Sequence, residues 1–357
     1  MSNPPALADL LGSAPAPLTV AVLLGDPRRA DPVKLGGVFD EDDFFTIDEA
    51  KRALNKLPGY RFLYLDDHDT LFDDLRRLSP DLDLVLNLCD EGFDNRARWE
   101  LHVAALLDVF GIPYSGAGPT CLGACYDKSL VRGIAREMGV PVPVACFMEP
   151  GQHVVDLDIA AYPVIVKPNA GDSSVGITQK SIAYNPDELT HAIASVRAAV
   201  GDQVPLLVET FLRGKDLTVG IIGNPGNALV LPITEEDYSA LPAHLPRLCG
   251  YEAKWLADSP YMHAIESVRA DLPVATADAM TRHSLRLFER LGCRDYARFD
   301  WRLDAAGRPY LLEANPNPGW CWDGHLAKQA AWAGYDYTAF FGLILAAAMK
   351  RVGTAST

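Results

Sequence analysis

Between residues 18 and 110 the chain alternates short apolar runs with segments of helical periodicity, and this alternation constrains the fold more than any other feature. The runs "LTVAVLLGD" (18–26), "YRFLYLDD" (60–67) and "LDLVLNLCD" (82–90) read as strands. "TIDEAKRALNKL" and "TLFDDLRRL" lie between them, and "ARWELHVAALLDVFG" follows the third. Strands separated by helix-length segments pair in parallel, because a parallel pair needs a crossover of a dozen or more residues. An N-terminal α/β domain with a parallel sheet is therefore expected over residues 1–118, ending near "GIPYSGAG".

From Cys121 the texture changes. "YDKSLVRGIAREMGVPVP" reads as a helix closed by Gly139 and the prolines beyond it. "YPVIVKP" (162–168) is a strand, "NAGDSSVG" a loop, and "ITQKSIAY" a further strand. In "NPDELTHAIASVRAAVG", Asn185 caps a helix that carries Pro186 in its first turn. These elements make a small middle α+β domain over 119–206. The C-terminal domain, 207–357, opens with "PLLVETFLRGKDLTVGIIG", two strands of a short hairpin around Gly214. The polar, Pro-rich stretch from Thr234 to Pro260 reads as a lid, since loops of that length are uncommon without a function. The helix "MTRHSLRLFERLG", the strand "ARFDWRLD", the turn "AAGR" and the strand "PYLLEANP" follow, and helical patterns finish the chain.

Composition narrows the partners. With 32 basic against 47 acidic residues the net charge is −15, which argues against binding nucleic acid or an anionic membrane surface. The late apolar run "AFFGLILAAAM" is too short to span a bilayer. Seven scattered cysteines without a C-x-x-C pair suggest neither a zinc ribbon nor a disulfide framework. The N-terminus lacks the basic start and long apolar core of a signal peptide. A soluble protein of a reducing compartment, the cytoplasm, is expected.

The stretch "LLEANPNPGW" (311–320) carries the strongest hint of chemistry. It starts as core, then sets Glu313, Asn315 and Asn317 at every second position, on one face of a strand. A hairpin turning between Ala306 and Gly307 would place Asp300 opposite Glu313 and Arg298 opposite Asn315, with Cβ atoms about 5 Å apart. Adjacent carboxylates repel unless a cation lies between them, and an oxygen-rich cluster suits Mg²⁺, which shares its remaining positions with water and phosphates. The alternative is a salt-bridged surface hairpin in which Arg298 neutralises Asp300, but the apolar flanks imply burial and favour the metal site. Lys167 ends an apolar strand, an unusual place for a lysine unless it is paired or faces a ligand. Ser173, Ser174 and Gly176 in "DSSVG" could offer hydroxyls and N–H groups to phosphate oxygens. Lys128, Glu209 and Asp216 taken singly are ordinary surface charges.

Their order along the chain changes that reading. "YDKSLVRGIAREMGVPVP", "YPVIVKPNAGDSSVGI", "LLVETFLRGKDLTVGIIG", "YEAKW", "YARFDWRL" and "YLLEANPNPG" resemble, in sequence and spacing, the ATP-grasp ligases, and among them the D-alanine–D-alanine ligase group, over roughly residues 83–320. The resemblance implies an ATP-grasp fold of three α/β and α+β domains, the last with an antiparallel sheet, and ATP bound between the middle and C-terminal domains. It implies that Lys128 and Lys167 contact phosphates, that Glu209 sits near the adenine amino group with Leu212 among the nucleotide-binding positions, and that Asp216 meets the ribose. Ser173 and Ser174 would lie in the loop closing over the phosphates, and Lys254 would reach the γ-phosphate from the lid. Asp300, Glu313 and Asn315 would hold two Mg²⁺ (or Mn²⁺) ions, with Glu313 bridging, while Arg298 and the Gly319 backbone stabilise an oxyanion. The implied reaction joins a small amino-acid-like carboxylate to an amine through an acyl phosphate, releasing ADP and phosphate. Related ligases are often dimers, so a homodimer is expected.

The amino-acid half departs from the family pattern. The family's Ser and Glu after the first strand, the latter near the first substrate's amino group, are absent from "LLGDPRRAD". Gly324 stands where a serine helps hold the second substrate's carboxylate, Trp255 replaces the lid tyrosine, and the acidic "CDEGFDN" (89–95) replaces a His-Gly sequence. Trp255, Trp320 and Trp322 either cluster around the pocket, where they could stack on a flat or larger substrate, or only pack the C-terminal core.

Overall fold

The computed structural model describes residues 17–152, 159, 161–171, 174–256 and 258–355. The chain begins with β1 (Leu18–Leu23), α1 (Glu41–Leu54), β2 (Tyr60–Leu65), α2 (Leu71–Leu78), β3 (Leu84–Asn87) and α3 (Glu100–Phe110). The three strands form a parallel sheet in the order β2-β1-β3. Helix α1 starts upstream of the segment read as helical, because the aspartates before it build a capping box. The Asp40 side chain accepts from the N–H groups of Asp42 and Asp43, and the Asp43 carboxylate accepts from the Asp40 N–H. One face of the sheet packs Ala21, Leu23 and Val85 on Val103 and Leu107 of α3. The other packs Val20, Val22, Leu84 and Leu86 on Ala50 and Leu54 of α1. Burial on both faces is what a parallel sheet requires.

Two helices follow where one was expected, α4 (Pro119–Tyr126) and α5 (Lys128–Glu137). Asp127 separates them in extended conformation and caps α5 through the Leu130 N–H. The cap fixes Lys128 at the first position of α5.

The middle region contains β4 (Ala145–Met148), β5 (Val164–Pro168), β6 (Ile182–Ala183), α6 (Pro186–Val200) and β7 (Leu206–Thr210). Its four-stranded sheet has the order β4-β7-β5-β6. Asn185 caps α6 through the Glu188 N–H, as the sequence predicts. Leu189, Ala192, Ile193 and Val196 of α6 pack on Val164, Val166, Leu206 and Val208. Strand alternation then turns Ile165, Lys167 and Glu209 to the opposite face. "ITQKSIAY" is strand only at Ile182 and Ala183, because Thr178 caps a helical turn before them.

The remainder comprises β8 (Asp216–Asn224), β9 (Asn227–Val230), β10 (Thr234–Asp237), α7 (Tyr251–Trp255), α8 (Pro260–Ala264), β11 (Glu266–Arg269), α9 (Val274–Leu291), β12 (Tyr296–Leu303), β13 (Pro309–Asn315), α10 (His325–Trp332) and α11 (Tyr337–Ala355). The antiparallel sheet runs β11-β10-β8-β12-β13, with β9 also on β8. Phe340, Phe341 and Ile344 of α11 join the hydrophobic cluster under the parallel sheet, so the two ends of the chain share a core.

Two expectations fail here. β7 and β8 are not a hairpin: β7 pairs with β4 and β5, whereas β8 pairs with β9, β10 and β12. The turn that separates them is clamped to the end of β12, where the Gly214 N–H donates to Leu303 O at 2.9 Å. A Cβ on Gly214 would stand 2.5 Å from that oxygen, so only glycine fits. The stretch from Thr234 to Pro260 is not one loop either, since it contains β10 and α7. Among the described residues no helix is long and apolar enough to cross a membrane.

Candidate active site

The antiparallel register sets charged side chains in rows across one sheet face. Asp300 stands opposite both Glu313 and Thr218, and Arg298 opposite both Asn315 and Gly220. Asp216 stands opposite Arg302 and Glu236. Opposed residues share a face, and so do residues two apart on a strand, so the three rows form one polar surface.

The expected pairing at Asp300 and Glu313 holds for a reason the sequence hid. Near the turn Leu303 pairs with Pro309 and Trp301 with Leu311, a register one residue away from the expected one. A bulge at Leu312 absorbs the extra residue and restores the expected pairing at the site.

Arg298 Nη2 lies 2.9 Å from Asp300 Oδ2, and Thr218 Oγ1 donates to Asp300 Oδ1 at 3.0 Å. Asn315 Nδ2 donates to Asp300 Oδ2 at 3.0 Å and, more distantly, to Glu313 Oε1 at 3.4 Å. Lys128 Nζ stands 3.4 Å from Glu313 Oε2 and donates to Gly171 O at 2.6 Å. Burial opposes charge on Glu313, but Lys128, Arg298 and Lys167 outweigh it and hold the carboxyl well below its usual range. Among the described residues no three Asp, Glu, His or Cys side chains form a complete metal-binding set. The trio instead offers two carboxylates and a carboxamide. Turning the Asn315 amide end for end would present its oxygen beside them. Such a partial oxygen shell fits Mg²⁺ sharing its remaining positions with phosphates and water.

Glu209 and Asp216 are not surface charges. Glu209 is buried between Lys167 Nζ, 2.6 Å away, and Arg132 Nη1, 3.1 Å away. That partner explains a lysine on the buried strand β5. Asp216 accepts from Tyr238 Oη at 2.6 Å and from Arg302 Nη1 at 2.7 Å. Burial nevertheless pushes its carboxyl up, against the pull of Arg302.

One cavity is lined by Lys128, Lys167, Ser174, Glu209, Leu212, Asp216, Lys254, Arg298, Asp300 and Glu313. The structure thus gathers side chains from β5, β7, β8, β12, β13, α5 and α7. Ser174 has a left-handed backbone with φ 59°, and Ser173 lies outside the described residues. Lys254 is held over the cavity because α7 docks on the preceding loop: the Tyr251 N–H donates to Ile177 O at 2.7 Å.

Gly319 faces the N-terminal region, where a Cβ on it would meet Asp90 Oδ2 at 3.8 Å. Asn317 Nδ2 donates to Glu100 Oε1 at 2.7 Å, and its oxygen accepts from Tyr296 Oη, so Asn317 stitches the loop down and does not join the trio. The tryptophans do not gather around the cavity. Trp320 is core, with Nε1 donating to Leu88 O at 2.8 Å, while Trp322 is exposed against Phe45. Trp255 stays beside Tyr251 on α7.

Sequence reasoning missed Glu236 and His325, which line the same cavity. Glu236 was hidden in a stretch read as loop, and only the β10–β8 register brings it to the site. The acidic loop after β3 was noticed without a role. Glu91 there lies beside Gly25, where a Cβ would stand 2.6 Å from its carboxylate, so it fills space next to the end of β1.

Known proteins resemble the chain in sequence and in fold. A family profile described as "D-ala D-ala ligase C-terminus" matches residues 140–346. The protein y4sG of Sinorhizobium fredii, described as uncharacterized, is 32% identical over 268 residues, covering 75% of each chain. D-alanine–D-alanine ligase A of Bacillus cereus is 30% identical over 250 residues, covering 70% of this chain and 76% of its own. The crystal structure of D-alanine–D-alanine ligase from Bacillus anthracis superposes with a TM-score of 0.69 at 23% identity, covering 96% of this chain and all of that one. The same ligase complexed with ATP gives a TM-score of 0.68 at 22% identity, covering 95% and 100%. The chain belongs to the D-alanine–D-alanine ligase family, C–N bond-forming ligases of the ATP-grasp superfamily.

Proposed function

We propose that this protein is an ATP- and Mg²⁺-dependent ligase that joins a small amino-acid-like carboxylate to an amine through an acyl phosphate. The observation that carries the reading is the Thr218–Asp300–Glu313 row with Lys128 against Glu313. Asp300, Glu313 and Asn315 would hold Mg²⁺, which supplies positive charge to the transferring phosphoryl group. Glu209 and Leu212 line the adenine end and Asp216 the ribose. Lys128, Lys167, Lys254 and the loop of Ser173 and Ser174 orient the phosphates. The substrate carboxylate attacks the γ-phosphate, and the amine then attacks the acyl carbon. Arg298 and the Gly319 N–H stabilise the oxyanion of the tetrahedral intermediate, an electrostatic role suited to fixed donors in a partly closed site. The division into residues 1–118, 119–206 and 207–357 is proposed with it, although β7 (Leu206–Thr210) of the middle sheet runs past the second boundary, and a homodimer remains part of the same proposal.

The test is a panel of amino acids assayed in pairs for phosphate release. ADP and phosphate are expected only when a carboxylate and an amine are both present. AMP as the stoichiometric product would remove the acyl-phosphate route. ADP formation indifferent to every carboxylate, or none at all despite bound ATP, would favour an ATP-binding module.

A further inference from the structure

His325 opens α10, and its Nε2 lies 2.5 Å from Glu236 Oε1. Ser267 Oγ from β11 donates to the same carboxylate, 3.1 Å from Oε2. Burial opposes the Glu236 charge, but His325, Ser267 and Lys328 outweigh it and hold the carboxyl below its usual range. An ionised carboxylate can only accept, so Nε2 must carry a proton, and in the neutral ring Nδ1 keeps the lone pair. Among the described residues Nδ1 has no hydrogen-bond partner.

The position of α10 is set tightly. It lies on the sheet face that bears the site: a Cβ on Gly220 would come within 2.6 Å of Leu326 Cδ2, and Gln329 Nε2 donates to Thr218 O at 2.9 Å. This brings His325 into the cavity lined by Lys254, Arg298, Asp300 and Glu313. Lysine and arginine side chains in general carry their protons at neutral pH. Asp300, Glu313, Glu209 and Asp216 are each engaged by a cation. An imidazole oriented by a carboxylate is the cavity group best suited to take a proton.

We propose that His325 accepts the proton of the incoming amine, with Glu236 as its positioning carboxylate. The inference rests on the ligase reading above. An ammonium has no lone pair to attack with, so it must first lose a proton. His325 Nδ1 takes one proton, the amine lone pair forms the C–N bond, and the tetrahedral intermediate breaks the C–O bond to phosphate. A second N–H proton leaves with that phosphate, and the third stays on the amide. Glu236 stabilises the imidazolium formed, as a buried carboxylate does for a histidine base. Glu236 on β10 meets the ring, Ser267 on β11 and Lys328 on the same helix act on that carboxylate, and Asp216 on β8 and Lys254 on α7 line the same cavity.

The test compares two acceptors. Wild type, His325→Asn and Glu236→Gln are each given ATP, Mg²⁺ and the twenty standard amino acids plus D-alanine as carboxylates. The acceptor is either an amino acid, protonated at neutral pH, or hydroxylamine, which is largely unprotonated there and needs no base. In His325→Asn, amide formation is expected to fall at least about a hundredfold, the lower range for general-base catalysis, while hydroxamate formation changes by less than about threefold. Toward alkaline pH, where the acceptor amine loses its proton in solution, the variant's amide rate should recover relative to wild type. Glu236→Gln should show the same selective loss to a smaller degree. Equal loss of both products in both variants would assign the pair a purely structural or nucleotide-binding role and overturn the proposal, as would an unchanged amide rate. Wild type that binds ATP yet forms neither product would overturn the ligase reading, and this inference with it.

Discussion

Glu313 is the residue on which the proposed chemistry turns, and its environment makes a sharp prediction. It meets Lys128 directly and sits among charges that keep it ionised despite burial. Glu313→Gln keeps the side-chain shape and removes the charge. Turnover is expected to fall by more than tenfold, a barrier increase above about 1.4 kcal/mol, with the fold intact by circular dichroism. A variant retaining over a tenth of the wild-type rate would count against the metal role. Glu91 is the opposite case. Burial and the Asp90 charge push its carboxyl well up, against the pull of Lys34, 3.6 Å away. The folded chain therefore binds this proton more tightly than the unfolded chain, and stability is lost as pH rises through the carboxyl range toward the raised folded value. Glu91→Gln should raise Tm at pH 7, and the gain should shrink toward pH 4. Melts at the two pH values check it; an equal gain at both would show that the charge is not the cause.

At the scale of elements, α7 is the part proposed to close over the nucleotide. Gly250, just before it, approaches the loop of Ser174 and Ile177 so closely that a Cβ would stand 2.5 Å from Ile177 O. Its φ of −93° is ordinary, so the constraint is steric contact with backbone, not conformational strain. Gly250→Ala should therefore lift α7 off the loop, carry Lys254 away from the cavity and weaken binding of a non-hydrolysable ATP analogue. In the wild type, hydrogen exchange across Tyr251–Trp255 should slow when that analogue and Mg²⁺ bind. Exchange that does not respond would mean a static element. This helix also shows where sequence reading stops. The Asp300–Glu313 pairing was legible because alternation and a short turn nearly fix a hairpin. The bulge at Leu312 was not, since nothing local marks it. The β7–β8 hairpin was wrongly read because strand, glycine and strand look alike whether the glycine turns the chain or, as Gly214 does, lets it press against another strand. Glu236 and His325 were illegible for a related reason: one strand and one helix bring them together across 89 positions of sequence.

At the scale of the molecule, the loop after β13 is fastened to the parallel sheet. Trp320 Nε1 donates to Leu88 O and Asn317 Nδ2 to Glu100 Oε1. The loops that follow β1 and β3, where ligands commonly bind in parallel α/β sheets, are thereby brought beside Gly319. This bears on the substrates. Near the first position Glu91 reaches Gly25 from the β3 loop. At the second position Gly324 stands where the family has a serine, and it caps α10 through its backbone alone. A carboxylate bound there would lack a hydrogen bond to a charged group, worth about 1.5–3 kcal/mol, or roughly tenfold to a hundredfold in efficiency. D-Alanine is therefore expected to be a poor acceptor, whatever serves as the first substrate. Phosphate release measured against D-alanine concentration, with each amino acid of the panel as first substrate, decides it. An efficiency at millimolar D-alanine like that of a dedicated D-alanine–D-alanine ligase would show that the backbone around Gly324 holds the carboxylate unaided.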